Sequence, residues 1–336
     1  MVDSRAARRL AGAVLCLLAV SGTGCAGTQS VGGGPPAVPS PADGGGELII
    51  DFLDTPGLPR HFRTAMSPLS REPGPRPSLI GLRELRMSGS ASPSQDGWQA
   101  VRRDLPHVPG GRLFDVDLRQ ETHLYVDGAV VSWYGKDDDA NIGMSREQLL
   151  RLQTTRLEEL RAWPVIPFAY LPKKSAAATL PPVEGPRTVR TEQETVTPYG
   201  FAYRYLPVPD RHMPTPRTAD VFVALARTLP ADGWLHMHCR EGHGRTTTFM
   251  AMYDMIKNAR QVPLADILRR QHLLGGAGTD LAADPARAAF LRTFYDYARH
   301  NDDGFRSSFT DWLAAHPHPT EDYPLLMPPP RQTGSK

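Results

Sequence analysis

Cysteine is nearly absent from this 336-residue chain, which has 3, at positions 16, 25 and 239. Cys16 falls in an expected leader and Cys25 at its end, so the folded part keeps one thiol, Cys239, and no disulfide framework can form. Outside the cytoplasm such a thiol has no resident cysteine to pair with, though it stays open to oxidation. A dominant charge is lacking too. With 38 basic and 36 acidic residues the formal charge is +2, which is no nucleic-acid signature, so any electropositive surface must be local to a pocket. Apolar runs are short. The run from Leu10 to Val20, preceded by Arg5, Arg8 and Arg9, is too short to span a bilayer comfortably and reads as an export signal. No Gly-Lys-Ser/Thr follows Gly244, which excludes a Walker loop, and no internal repeat is evident.

The leader ends in Ser21-Gly22-Thr23-Gly24-Cys25. Small residues before a cysteine suggest a lipobox, with Gly22 where such signals usually carry an apolar residue. Cys25 is the expected lipidation site, and plain secretion is the alternative. Residues 1–25 are thus expected to be a signal and 26–46, almost all Gly, Pro, Ser, Ala and Thr, a disordered tether. Residues 47–325 form the folded domain and 326–336 a disordered tail. The expected location is outside the cytoplasm of a bacterial cell, periplasmic or at the outer membrane or cell surface. The membrane is met only through the lipid anchor, and the oligomeric state is open.

What is present concentrates on one segment. His238-Cys239-Arg240-Glu241-Gly242-His243-Gly244-Arg245-Thr246 is entered from Trp234-Leu235-His236-Met237 and followed by Thr247-Thr248-Phe249-Met250-Ala251-Met252-Tyr253. A thiol and an arginine flanking five residues with two glycines can bend the backbone into a cradle whose amides converge on one oxyanion. Gly242 and Gly244 can take positive φ, and a helix beginning near Arg245 or Thr246 aims its unpaired N–H groups and positive dipole end into the same hole. Arg240, Glu241, Gly242, His243 and Gly244 therefore make up the expected phosphate cradle. The same field favours thiolate over thiol and makes Cys239 the nucleophile. Arg245 offers a planar fork for two non-bridging phosphate oxygens. Thr246 can donate its hydroxyl to the sulfur as it departs.

Two plainer readings compete. A buried cysteine is often only a small hydrophobe, but both glycines, the upstream strand and the downstream apolar helix fall where the cradle needs them. His236 and His238 share a strand face, and with Cys239 and His243 they resemble a zinc ligand set. Cys239, however, points away from that face, and no paired cysteine or second histidine cluster supports a metal. No metal and no cofactor is expected, and His236 and His238 are read as core or supporting histidines.

A thiolate displaces a poor alkoxide leaving group only slowly unless an acid protonates the departing oxygen. Asp210, in the proline-framed loop Pro207-Val208-Pro209-Asp210-Arg211-His212-Met213-Pro214, is the first choice. Asp115, Asp117 and the Asp137-Asp138-Asp139 run compete.

Around these residues the pattern is α/β. Leu48 to Phe52 and Arg112 to Arg119 read as strands, and His123 to Asp127 with Ala129 to Tyr134 as a hairpin about Asp127-Gly128. Ser145 with Gln148 makes a capping box for a helix stopped by Trp163-Pro164. The stretch from Thr55 to Pro77 reads as irregular. Residues 165–206, rich in Pro, Thr and Val, predict a small β insertion. Helices are predicted over 218–229, 246–259 and 263–273, and from an Asp284 cap and Pro285 to His300. Strand, phosphate loop and helices make a central sheet flanked by helices.

Beyond the loop, Pro59-Arg60-His61-Phe62-Arg63, Gly81-Leu82-Arg83-Glu84-Leu85, Ser88-Gly89-Ser90-Ala91, Asp117-Leu118-Arg119-Gln120-Glu121-Thr122-His123, Val131-Ser132-Trp133-Tyr134-Gly135 and residues 249–258 resemble segments of the cysteine phytases. These are inositol polyphosphate phosphatases on the protein-tyrosine-phosphatase fold, with a small partial β barrel beside the core that would correspond to residues 165–206. The resemblance implies Cys239 as nucleophile, Arg245 as phosphate clamp and Asp210 as general acid. It implies Arg63 and Lys136 as substrate-phosphate contacts and Asp117 as support for the loop arginine. Family members often carry Asp-His at the acid position. Here Arg211 intervenes, which puts Arg211 in line for the contact with substrate and leaves the role of His212 open. The implied activity is metal-free, stepwise removal of phosphates from myo-inositol hexakisphosphate through a cysteinyl phosphate. The implied partner is a polyphosphorylated inositol and not a nucleic acid. A phosphotyrosine or phosphoinositide phosphatase using the same loop and a non-catalytic phospholigand-binding protein are the rivals.

Overall fold

The structure is a computed structural model and describes residues 46–109, 111–135, 140–180, 188–275 and 280–316. The leader with Cys25, the tether, the tail, Lys136 and residues 137–139 lie outside them. In chain order the strands are β1 (Glu47–Phe52), β2 (Arg63–Thr64), β3 (Met87–Ala91), β4 (Leu113–Arg119), β5 (His123–Val126), β6 (Ala129–Tyr134), β7 (Val189–Arg190), β8 (Phe201–Val208) and β9 (Trp234–Cys239). The α-helices are α1 (Gln95–Asp104), α2 (Arg146–Ala162), α3 (Glu192–Val196), α4 (Pro216–Thr228), α5 (Gly244–Asn258), α6 (Leu264–Gly275), α7 (Pro285–His300) and α8 (Phe309–Ala315). None of the described helices is long and apolar enough to cross a membrane.

The strands make two sheets. One is five-stranded in the order β2-β3-β9-β4-β8, parallel except for β2, and the other four-stranded and antiparallel in the order β1-β6-β5-β7. Side chains alternate between the faces of these buried strands: Val116, Leu118, Leu235 and Met237 are fully buried on one face, and Asp115, Asp117, His236 and His238 are fully buried on the other. Helix α5 lies against this sheet with Phe249, Met250, Met252 and Met255 all at 0% exposure. A helix apolar on every side must be enclosed, and each such side chain contributes about 1.5–3 kcal/mol by burial. That fixes the loop before α5 to the enclosed core.

Strand β3 reads poorly as a strand because Met87-Ser88-Gly89-Ser90-Ala91 has no alternation. Its small residues are a packing requirement: a Cβ on Gly89 would lie 2.6 Å from Met250 Sδ and 2.7 Å from Thr246 Cγ2. Helix α1, capped by Ser94 accepting from the Gly97 amide, also went unread in the sequence. The hairpin forms as its turn residues demand, with Asp127 at φ 48 and Gly128 at φ 83, and the Ser145/Gln148 capping box is present.

Among the described residues of 165–206 there is no β insertion of its own. The segment contributes β7 to the four-stranded sheet, Glu192–Val196 is helical, and β8 is the edge strand of the main sheet, paired with β4. Thr191 caps α3 with a capping box closed by Glu194, so the apparent alternation of Glu194-Thr195-Val196-Thr197 loses to a helix start. The small sheet beside the core is instead built mainly from β1, β5 and β6.

Strands β3, β4, β8 and β9 run parallel, so their carboxyl ends converge on one edge. There β9 delivers Cys239, β4 leads to Glu121, β8 to Asp210 and β3 to Ser92. The carboxyl edge is where open α/β sheets leave a crevice for ligands.

Candidate active site

At the end of β9 the chain turns about Cys239. Its Sγ accepts hydrogen bonds from the Gly242 amide at 3.3 Å and the Thr246 hydroxyl at 3.2 Å. Gly242 has φ 76, and a Cβ there would fall 2.4 Å from the Ala91 nitrogen, so glycine is required twice over. Gly244 is different from expectation. It opens α5 without positive φ, and its missing side chain makes room for Arg287, whose Nη1 would lie 2.9 Å from a Cβ. His243 is the N-cap of α5 and makes no side-chain cap, which leaves the first amides of the helix for an anion.

Arg245 is 3% exposed. It donates through Nη1 to Glu121 Oε2 at 2.6 Å and to the Val208 carbonyl at 3.0 Å, and through Nη2 to Glu121 Oε1 at 2.8 Å. Asp210 Oδ1 lies 3.0 Å from Nη2. Its Nε is buried without a hydrogen-bond partner among the described residues, a donor suited to a phosphate oxygen. Burial works against the charge, but Glu121 and Asp210 hold the guanidinium well above its ordinary value.

The carboxylate supporting Arg245 is therefore Glu121, not Asp117. Asp117 accepts from the Tyr203 hydroxyl at 2.8 Å and from the Arg119 amide at 2.8 Å, with His123 at 3.4 Å. Burial in that setting pushes its carboxyl up, the opposite of what a guanidinium partner shows. Glu121 lies past the end of β4, where its longer side chain meets the arginine fork in bidentate geometry.

Glu121 belongs to a chain of alternating charges. Its Oε1 lies 3.3 Å from Arg119 Nε, Arg119 reaches Asp51 at 2.7 Å, and Asp51 accepts from Arg240 Nε at 2.8 Å. Both loop arginines, Arg240 and Arg245, are tied to one buried ionic ladder. Burial alone would raise Asp51 and Glu121, yet the flanking arginines hold both below the usual carboxylate range.

Arg63 is not placed to meet a substrate phosphate. It is 3% exposed and donates from Nη1 to the carbonyls of His61 and Gly242, each at 2.9 Å, and from Nη2 to Thr247 Oγ1 at 2.8 Å. It buttresses the loop from outside the anion hole. His212 also faces away: its Nδ1 lies 2.7 Å from the Asp210 carbonyl, steadying the acid loop. Arg211, in left-handed backbone at φ 61, lines the pocket instead.

The cleft over Cys239 has a volume of about 330 Å³ and is walled by Asp210, Arg211, Glu241, His243, Arg245 and Arg287, among others. A second cleft of about 500 Å³ adjoins it through shared Asp210 and Glu241 and is lined by Arg60, Lys173, Lys174 and Arg240. Glu241 pairs with Arg60 at 3.0 Å across this boundary.

His236 and His238 are fully buried. His236 contacts the hydroxyls of Ser88 at 2.9 Å and Ser90 at 3.1 Å. His238 Nε2 lies 2.7 Å from Glu192 Oε1 and 3.2 Å from Asp115, while His123 Nε2 lies 2.6 Å from Glu192 Oε2. Asp115, Glu192 and His238, and again Asp117, His123 and Glu192, bring donor atoms within 4.8 Å of one another, a donor set a cation would accept. Protons also satisfy it: against the cost of burial, Glu192 and Asp115 hold His238 well above its usual value, and burial with the charge of Glu192 pushes Asp115 up to about 8. Glu192 bridges both histidines, so Glu192→Gln removes the shorter carboxylate contact of each and leaves them the longer ones to Asp115 and Asp117. The expected loss is about 1–3 kcal/mol of stability, the cost of a lost buried charged hydrogen bond with a second carboxylate still in place, read by denaturant titration, and no loss at all would remove Glu192 from the support of the histidines.

Arg287 and Asp284 in the pocket wall, the lysines of the second cleft, and Glu121 were not identified from sequence. Asp284 was read only as a helix cap, which it is, accepting from the amides of Ala286 and Arg287. The available signal for Glu121 was the density of charge over residues 117–123, more than one solvated face needs.

Comparison with known proteins agrees with this geometry. A family model described as PTP-like phytase, inositol hexakisphosphate, matches residues 116–257. The tandemly repeated protein tyrosine phosphatase like phytase of Mitsuokella multacida superposes with a TM-score of 0.72 at 36% identity, over 81% of this chain and 50% of that one. The PTP-like myo-inositol phosphatase of the same organism, solved with myo-inositol-(1,3,4,5)-tetrakisphosphate, gives 0.71 at 32% identity, over 80% of this chain and 47% of that one. Effector protein hopD2 of Pseudomonas syringae pv. tomato is 31% identical over 287 residues, 80% of this chain and 59% of its own length. The chain thus spans about half to three-fifths of these relatives. Its loop, its fold and these likenesses together make the chain similar to the PTP-like phytases.

Proposed function

We propose that this protein removes phosphates stepwise from myo-inositol hexakisphosphate through a cysteinyl-phosphate intermediate. The observation that carries the reading is the junction of the two clefts. A single phosphate fills a cradle such as that over Cys239, whereas Arg60, Lys173, Lys174 and Arg240 beside it suit a substrate bearing several phosphates. The inositol tetrakisphosphate held by the Mitsuokella relative supports the same substrate class.

The reaction follows from the contacts. The Cys239 thiolate attacks phosphorus in line with the inositol oxygen, the P–O bond breaks as the S–P bond forms, and Asp210 gives its proton to the departing alkoxide. Arg245 and the loop amides follow the equatorial oxygens as they flatten. Asp210, now a carboxylate, then takes a proton from water as that water attacks phosphorus, and the sulfur leaves while accepting from the Thr246 hydroxyl. Asp210 stands at the boundary of both clefts, where a leaving oxygen would emerge. We further propose, from the leader and Cys25, that the enzyme works outside the cytoplasm, on a lipid anchor or secreted.

Asp210→Asn tests the acid. It should lower kcat by about 10²-fold on inositol hexakisphosphate and much less on p-nitrophenyl phosphate, whose leaving group needs no proton. Equal losses on both would remove Asp210 from the role. Phosphate release measured across inositol hexakisphosphate, phosphoinositides and a phosphotyrosine peptide tests the substrate, and preference for the peptide would overturn it.

A further inference from the structure

The segment leading into β2 sets His61 against His243, which lines the phosphate pocket. The rings of His61 and His243 have centroids 4.0 Å apart with an interplanar angle of 52°. His61 sits in left-handed backbone at φ 58, a conformation that a non-glycine residue keeps only when its surroundings impose it. The surroundings do so here. Arg63 Nη1 bonds the carbonyls of both His61 and Gly242, and its Nη2 donates to Thr247, whose hydroxyl donates to the His243 carbonyl at 2.7 Å. The pair is thus bolted to the loop that carries Cys239. His243 Nδ1 is buried with no hydrogen-bond partner among the described residues, and His243 forms part of the pocket wall.

The charged groups facing the pair are Arg60 and Arg63 from its own segment and Glu241 from the loop, with Arg211, Arg245, Asp210, Asp284 and Arg287 around the pocket. Burial, then Arg60 and Arg63, hold the His61 imidazole below the ordinary histidine value, and burial, then His61 and Arg63, hold that of His243 below it, with Glu241 acting the other way on both. Neutral imidazoles beside an anion hole take up a proton from solvent when a phosphate dianion binds, because the dianion stabilises the charged ring.

Resting on the substrate class proposed above, we infer that His61 and His243 form a proton-gated subsite for a second phosphate group, the neighbour of the one seated over Cys239. Binding a polyphosphate then takes up protons, and affinity grows as pH falls. A substrate with one phosphate leaves the pair unused.

The test compares KM for inositol hexakisphosphate with KM for p-nitrophenyl phosphate between about pH 5 and pH 7, in the natural protein, H61Q, H243Q and the double variant. Taking the ratio of the two constants cancels ionisation of groups that serve both substrates. Ionisation of the polyphosphate itself is common to all four proteins, so the difference between proteins reports the pair. In the natural protein the ratio should rise with pH about tenfold more than in the double variant, the change that one linked proton gives over about one pH unit. Binding of inositol hexakisphosphate to C239S, followed by calorimetry in buffers of different ionisation enthalpy, should show proton uptake that H61Q/C239S loses. H61Q leaves the loop sequence intact and serves where H243Q does not fold. Brisk polyphosphate turnover with the same pH slope in all four proteins would overturn the subsite alone. Turnover of p-nitrophenyl phosphate without release from the polyphosphate would overturn the substrate class and the subsite with it.

Discussion

Cys239→Ser should lower phosphate release by at least about 10⁴-fold while the protein still binds inositol hexakisphosphate. The two halves of that result have separate physical origins. Turnover needs a polarisable anionic sulfur that attacks phosphorus and later leaves it, and a serine oxygen at neutral pH is neither ionised nor a good leaving group. Binding needs the Arg245 fork, the loop amides and the first amides of α5, none of which the exchange touches. The hydrogen bonds that reach Sγ from Gly242 and Thr246 can be accepted by a hydroxyl oxygen, so the loop keeps its shape. Removing a negative sulfur from beneath an anion should, if anything, tighten binding. Single-turnover phosphate release and calorimetric titration measure the two separately. Release above about 1% of the natural rate would assign the nucleophile elsewhere, since loss of a covalent nucleophile costs far more than that. Loss of binding together with turnover would mean that the thiol holds the loop rather than attacks through it.

What the sequence reveals of this site is what local chemistry writes into consecutive residues. The spacing of Cys239, Gly242 and Arg245 marks an anion cradle, and the apolar run after it marks the enclosed helix α5. The hairpin at Asp127-Gly128 and the caps at Ser145 and Asp284 are legible for the same reason, because each is decided within a few residues. Long-range pairing is not. Arg245 meets a carboxylate 124 positions away, and Asp117 and Glu121 both end strand β4 or follow it. Only the bend after Arg119 turns Glu121 toward the loop and leaves Asp117 against Tyr203. Arg63 carries the charge expected of a phosphate contact, but β2 places it on the outer wall of the loop. The second cleft is hidden for the same reason, since Arg60, Lys173 and Arg240 come from three distant segments. Even strand β3 is obscured by a demand from elsewhere, the close approach of α5.

Glu121→Gln should be the most damaging substitution away from the reacting atoms, and the ionic ladder says why. The buried order Arg240, Asp51, Arg119, Glu121, Arg245 alternates in sign, and of its two carboxylates Glu121 is the one that holds Arg245, the expected phosphate clamp. A neutral amide there leaves Asp51 as the remaining carboxylate partner of Arg119 and the partly exposed Asp210 as that of Arg245, among the described residues. Removing one partner of a buried pair costs about 3–5 kcal/mol. A guanidinium released from bidentate support should also lose its aim at the phosphate oxygens, lowering kcat by about 10²–10³-fold. The pH dependence supplies a sharper signature. Because the native state holds Glu121 below its ordinary value of 4.5, its contribution to stability is fully present above that pH and declines as pH falls toward the native value. The stability gap between the natural protein and Glu121→Gln should therefore be constant above about pH 5 and narrow below about pH 4. Asp117→Asn is the contrast. Burial already favours the neutral form of that carboxyl, so an amide should cost about 1 kcal/mol and change kcat less than about tenfold, the scale of one neutral contact. Denaturant titrations across pH with parallel kinetics on both variants decide the matter. If Asp117→Asn proves the more damaging of the two, the support of the loop arginine must pass through Asp117 after all, and the ladder is a structural feature without a catalytic one.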